Sequence, residues 1–197
     1  MISTREVFLG IYGAWRLLHF DRAALQYFDS SVDGFWKSFY AALVVLPAVI
    51  ILRIVLFTIA PENISGAGTG RIATVFAIDY VYQWLIFPLV MFYLAEFIGR
   101  SRNYVTFIVA RNWSQVIQIA IFLPAAVLFV KSGAGEPSWG AVILIAAYLV
   151  TWVYEWFITR TALDISGPAA AVIVIIGIAI SFLISTVSEA LIVVATI

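Results

Sequence analysis

Long apolar stretches alternate with short polar segments along this chain, and each apolar stretch carries few charged residues. A helix needs about 20 consecutive, mostly apolar residues to cross the hydrocarbon core of a bilayer. The pattern therefore predicts an all-α integral membrane bundle of five transmembrane helices, preceded by an N-terminal amphipathic or interfacial helical segment. The predicted spans lie at about residues 38–60, 72–98, 113–130, 139–163 and 168–196.

We expect the chain to divide into a cytoplasmic or interfacial segment over residues 1–37 and a transmembrane domain over residues 38–197. In the first segment, Ser3 and Glu6 fit a capping box, in which each side chain satisfies a free backbone N–H. The apolar residues that follow at helical spacing are Val7, Phe8, Ile11, Trp15 and Leu18. This spacing predicts an amphipathic helix in the membrane interface, or alternatively a helix packed on the cytoplasmic ends of the spans.

Residues 103–112 allow two interpretations. Their apolar run is too short to cross a bilayer by itself, and it ends at Arg111 and Asn112. The segment either lies in the interface or extends the third helix toward its N-terminus.

The composition agrees with a membrane protein. Of the 197 residues, 64% are hydrophobic and 11% are charged, with a mean hydropathy of +1.07, whereas soluble domains carry about 25% charged residues. The formal net charge is zero, so no basic surface indicates nucleic acid as a partner. The lipid bilayer is the expected partner, together with either another protein or a second copy of the chain.

The residue types also argue against several kinds of catalysis. The chain has no cysteine, which excludes disulfides, thiolate metal sites and thiol nucleophiles. Its single histidine, His19, precedes the first span, so a zinc HExxH site and bis-histidine haem ligation are excluded as well. We therefore expect a protein that is not an enzyme and has no cofactor and no metal.

The distribution of basic residues predicts an orientation. Lysine and arginine concentrate on the cytoplasmic side of membrane proteins. An N-terminus in the cytoplasm places most of the basic residues there, namely Arg5, Arg16, Arg22, Lys37, Arg100, Arg102, Arg111 and Arg160. The prediction is a multi-pass protein of the bacterial inner membrane with a cytoplasmic N-terminus and an external C-terminus.

A first polar cluster is predicted toward the external side. Arg53, Asp79 and Glu189 each lie about seven residues from the outer end of their spans, which at about 1.5 Å per residue is about 10 Å below the surface. Because charges inside a bilayer face protein or water, we expect these side chains to meet. Ser181 and Ser185 share one face of the fifth span with Glu189 and belong to the same predicted cluster.

A second polar cluster is predicted nearer the cytoplasmic side. Glu96 ends the second span and Glu155 lies in the inner half of the fourth. Arg100, Arg111 and Arg160 are available partners for these two acids.

Two stretches resemble the Yip1-like family of small five-span membrane proteins. TALDISGPAAA (161–171) is similar to the short final loop of that family and the small-residue helix after it. FDSSVDGFWKSFYAAL (28–43) is similar to the start of its first span. The DLYGP-type and GY-type motifs of the eukaryotic branch are missing, so its role in vesicle traffic is not implied. The resemblance implies a five-helix bundle without catalysis.

Two functions fit this pattern. The one favoured by the sequence is a non-catalytic scaffold or accessory subunit of a membrane complex, in which the intramembrane charges hold the helices together. The alternative is a small transporter or channel that uses the same acids to pass an ion, a proton or a small polar solute.

Overall fold

The structure, a computed structural model, describes residues 2–57, 68–132 and 138–193. These residues form seven α-helices and two short 3₁₀ turns, and they contain no strand. The helices are α1 (Thr4–Leu18), α2 (Val32–Ser38), α3 (Tyr40–Phe57), α4 (Thr69–Phe97), α5 (Tyr104–Lys131), α6 (Trp139–Ala162) and α7 (Gly167–Val193).

Five segments are long and apolar enough to cross a membrane, which confirms the all-α bundle of five predicted spans. They are Val32–Phe57, Thr69–Phe97, Ser101–Lys131, Trp139–Ala162 and Gly167–Ile192. The predicted division at residue 37 falls inside α2, which continues almost directly into α3. The predicted ends of the first span (58–60) and of the fifth (194–196) lie outside the described residues.

The third span is longer than predicted. Its helix α5 begins at Tyr104, before the predicted start near Trp113, so residues 104–112 are its first turns. The polar pair that suggested a boundary has partners inside the bundle, because Arg111 pairs with Glu155 and the Asn112 side-chain amide donates to Ser38 Oγ at 2.8 Å. Polar groups with partners are tolerated within a helix at membrane depth.

The five spanning segments surround a cavity, and they do not all pack against one another. Helix α5 packs against α3 and α6, and α7 packs against α6 and α4. The remaining junction, between α3 and α4, is made largely by long side chains. Tyr80 on α4 donates to the Ala42 carbonyl on α3 at 2.6 Å, and Arg53 on α3 reaches Asp79 on α4.

The two faces of helix α1 have different surroundings. One face packs on α5 and α6, with Ala14 and Leu17 fully buried and Gly10 lying against the ring of Trp113. The opposite face exposes aromatic side chains, namely Phe8, Tyr12 and Trp15. The predicted capping box at Ser3 and Glu6 is confirmed. The packing of α1 on the bundle agrees with the second alternative, and a position in the membrane interface stays a prediction.

The capping glutamate also links α1 to α2. Glu6 accepts hydrogen bonds from Lys37 Nζ at 2.7 Å and from the Ser3 backbone N–H at 2.6 Å. The hydrogen bond from Lys37, followed by those from Ser3, lowers the pKa of the Glu6 carboxyl from 4.5 to about 2. The folded pKa lies below the unfolded one, so this contribution to stability is complete above about pH 4.5 and is lost as the pH falls toward 2.

We expect the Glu6 carboxyl to titrate near pH 2, and the carboxyl carbon chemical shift of the isotope-labelled protein in micelles measures this directly. In Lys37→Gln the midpoint should move up toward 4.5, because the largest cause of the shift is removed. A wild-type midpoint near 4.5 would show that the Glu6–Lys37 contact does not form in solution.

Candidate functional site: a polar cavity between the five spans

A cavity of about 540 Å³ lies between the spanning helices, and α3, α4, α5, α6 and α7 all contribute to its wall. Its polar lining combines two arginine–carboxylate pairs with three glutamines. These residues are Arg53 with Asp79, Arg111 with Glu155, and Gln83, Gln115 and Gln118. Aromatic rings form much of the remaining wall, among them Phe76, Trp84, Phe87, Phe122 and Trp152. We call this space the central cavity.

The Arg111–Glu155 pair joins α5 to α6. Arg111 Nε donates to Glu155 Oε1 at 2.7 Å, and Gln118 Nε2 donates to the other carboxylate oxygen at 2.8 Å. The guanidinium carbon lies 3.7 Å from the centre of the Phe87 ring, a cation–π contact. The two side chains are only 16% and 13% exposed, so each charge depends on the other for its stabilisation.

The Arg53–Asp79 pair joins α3 to α4 and is less enclosed. Arg53 Nη2 donates to Asp79 Oδ2 at 2.9 Å, and Ser188 Oγ on α7 donates to Oδ1 at 3.0 Å. Asp79 is 4% exposed, whereas Arg53 is 33% exposed. The acid is thus fixed among three helices, while the base keeps part of its surface free.

A second, smaller cavity of about 220 Å³, which we call the distal cavity, lies beside this pair. It is bordered by the C-terminal end of α3, the N-terminal part of α4 and the C-terminal part of α7. Arg53, Phe76, Asp79 and Ser185 line both cavities, so the Arg53–Asp79 pair stands at the boundary between them. Glu189 lines only the distal cavity.

The structure brings most, but not all, of the predicted residues together. Arg53 and Asp79 meet as expected, with Ser185 beside them, and Arg111 meets Glu155. Ser181 lines the central cavity, and its carbonyl accepts a hydrogen bond from Gln83 at 3.4 Å.

Two predicted acids stand apart from these pairs. Glu189 borders the distal cavity, and the described part of the chain gives it no basic partner within 4.0 Å. Glu96 does not join the second cluster, because it is exposed near the end of α4 and has no ion-pair partner in the ranges described. Arg100, which was available to it, lies 3.7 Å from Asp164 instead.

The sequence analysis missed the amide side chains of the cavity. Gln115 and Gln118 follow Arg111 on α5 at intervals of about one and two helical turns, so they share its face. That spacing was a usable signal. Gln83 lies one turn after Asp79 on α4 and carried the same signal.

No family model, no curated protein and no solved structure matches this chain. The resemblance to Yip1-like proteins therefore stays a prediction.

Asp79→Asn is expected to destabilise the protein by about 2 kcal/mol, the cost of losing a hydrogen bond to a charged group. The loss stays moderate because Arg53 is one-third exposed and keeps access to solvent or to the distal cavity. Unfolding of the detergent-purified protein, followed by tryptophan fluorescence, measures the difference. Glu189→Gln is the matched control, and we expect it to change stability by less than about 0.5 kcal/mol. A larger loss in Glu189→Gln would identify Glu189 as the main partner of Arg53.

Proposed function

We propose that this protein is a non-catalytic membrane carrier that binds a small polar solute in the central cavity. The observation that supports this most is that both intramembrane ion pairs border the same open space. Side chains that only clamp helices together need no cavity, and the low-cost solution is to pack them between the helices.

The size and lining of the cavity support the same proposal. Small-molecule sites typically enclose about 300–1,000 Å³, lined by apolar and aromatic groups with a few convergent polar ones. The central cavity, at about 540 Å³, combines these features. The scaffold favoured by the sequence uses the same charges as structural clamps. The cavity is our reason for proposing the transport alternative instead.

The transport experiment uses the purified protein in liposomes and a panel of radiolabelled anionic, neutral and cationic solutes. We expect uptake of at least one class above that of protein-free vesicles. Ser181→Trp places a bulky side chain at the wall of the cavity and should reduce this uptake by about tenfold or more. Val187→Trp, on the exposed side of the same helix, is the matched control and should transport normally.

Absence of flux for every solute class would overturn the carrier proposal. A mild-detergent purification from the native membrane then tests the scaffold directly. A stoichiometric protein partner would indicate an accessory subunit.

We propose that the protein resides in a bacterial inner membrane with its N-terminus in the cytoplasm, on the support of the basic residues in the N-terminal segment and at the turn between α4 and α5. The chain contains no cysteine, so each introduced cysteine is its single thiol. An impermeant maleimide should label Thr69→Cys in intact cells, but Ser101→Cys only after permeabilisation. The reverse pattern would establish the opposite orientation.

A further inference from the structure

We infer that the central cavity takes a small organic anion whose carboxylate is bound by the guanidinium of Arg111. This inference rests on the proposed function, since it names the class of solute that the same cavity holds. It rests on which hydrogen-bonding groups of the lining residues already have a partner in the protein and which do not.

At the Arg111–Glu155 pair, both oxygens of the acid have a partner, whereas only one of the three nitrogens of the base has one in the described ranges. Both Glu155 oxygens already accept a hydrogen bond, from Arg111 Nε and from Gln118. The Nη1 and Nη2 groups of Arg111 have no hydrogen-bond acceptor among residues 2–57, 68–132 and 138–193. A guanidinium presents its N–H donors in one plane, so donors remain free on a residue that lines the cavity.

The Arg53–Asp79 pair repeats this imbalance. Ser188 and Arg53 Nη2 each donate to one oxygen of Asp79. Nε and Nη1 of Arg53 find no acceptor in the described part of the chain. The formal charges of the two pairs cancel, and the atoms of these pairs that lack a partner in the described ranges are guanidinium nitrogens.

Guanidinium nitrogens without a partner favour a ligand that supplies acceptors. A carboxylate is the group whose two oxygens match a guanidinium edge through parallel hydrogen bonds. Phe87 lies against the face of the Arg111 guanidinium and Glu155 fixes its Nε, so the side chain is held in place before a ligand arrives. The aromatic wall at Trp84 and Trp152 offers contact to a short hydrocarbon body.

The first test compares ligands of different charge on the wild-type protein. Succinate should raise the melting temperature of the wild-type protein in detergent, followed by tryptophan fluorescence at matched ionic strength. Succinamide has nearly the same shape without charge, and 1,4-diaminobutane carries the opposite charge. Neither should stabilise the protein to the same extent. Equal stabilisation by succinamide, or stabilisation by the diamine alone, would overturn the inference.

Arg111→Lys gives the second test. Lysine keeps a positive charge opposite Glu155 but lacks the planar edge, so we expect succinate affinity to fall by about tenfold or more. Arg102→Lys, at an exposed position away from the cavity, should bind as wild type. Unchanged affinity in a folded Arg111→Lys variant would contradict the inference. If this variant does not fold, the wild-type ligand comparison still decides.

The two proposals fail in different ways. Succinate binding without flux of any solute would remove the carrier and leave the anion site. Flux of a neutral or cationic solute that is insensitive to succinate would keep the carrier and overturn the anion site.

Discussion

Replacing Glu155 by glutamine is expected to destabilise the protein by about 3–5 kcal/mol, the typical cost of removing one partner from a buried ion pair. Arg111 would keep its charge in a position that is only 16% exposed, without a carboxylate to balance it. Gln118 would lose a charged acceptor at the same time. Denaturant or thermal unfolding in detergent, with tryptophan fluorescence as the signal, measures the loss.

The control for this experiment is Glu96→Gln, the same chemical change at an exposed acid without an ion-pair partner in the described ranges. We expect it to alter stability by less than about 0.5 kcal/mol. The double replacement Arg111→Met with Glu155→Leu removes both charges and should recover most of the stability lost in Glu155→Gln. Equal stability of Glu155→Gln and Glu96→Gln would show that the buried pair is not formed.

Gly10→Val is expected to detach α1 from the bundle or to weaken its packing by about 1–3 kcal/mol, the usual range for overpacking. A Cβ at this position would lie 2.5 Å from a ring carbon of Trp113, closer than two carbons can approach. Trp113 is only 4% exposed and has little room to move. Faster tryptic cleavage after Arg16 or Arg22 would report the release of α1.

Gly70→Ala is the control for the glycine position itself. A Cβ there meets nothing within 4 Å, so alanine should be neutral or stabilise α4 by up to about 1 kcal/mol through helix propensity. Cleavage of Gly10→Val at the wild-type rate would contradict the close packing of α1 on α5.

The sequence predicted best the features that are set by the length and depth of the apolar stretches. Five spans followed from hydropathy alone, because a bilayer admits few structures other than helices of sufficient length. The meeting of Arg53 with Asp79 followed from their equal depth, and the capping box at Ser3 followed from the spacing to Glu6. Each of these inferences needs only the spacing within one helix or the membrane depth of two residues. None of them requires knowledge of how the helices pack.

The rest depended on how the helices pack. Arg111 and Asn112 looked like a headgroup boundary because their partners, Glu155 and Ser38, are distant in the sequence. Glu96 was grouped with Glu155 because both lie toward the same side of the membrane, yet the Glu96 side chain is exposed. The central cavity was not predictable, since five helices contribute to its wall and no single segment encodes it.

The packing of α1 on the bundle also constrains the order in which the protein assembles. The hydroxyl of Tyr154 lies 2.7 Å from the carbonyl of Ala14, a residue synthesised 140 positions earlier. The helix thus leaves the ribosome long before α5 and α6 exist to receive it. Its exposed face, with Phe8 and Trp15, is suited to rest on the lipid surface in the meantime. Docking of the first helix therefore has to wait until α5 and α6 have been made.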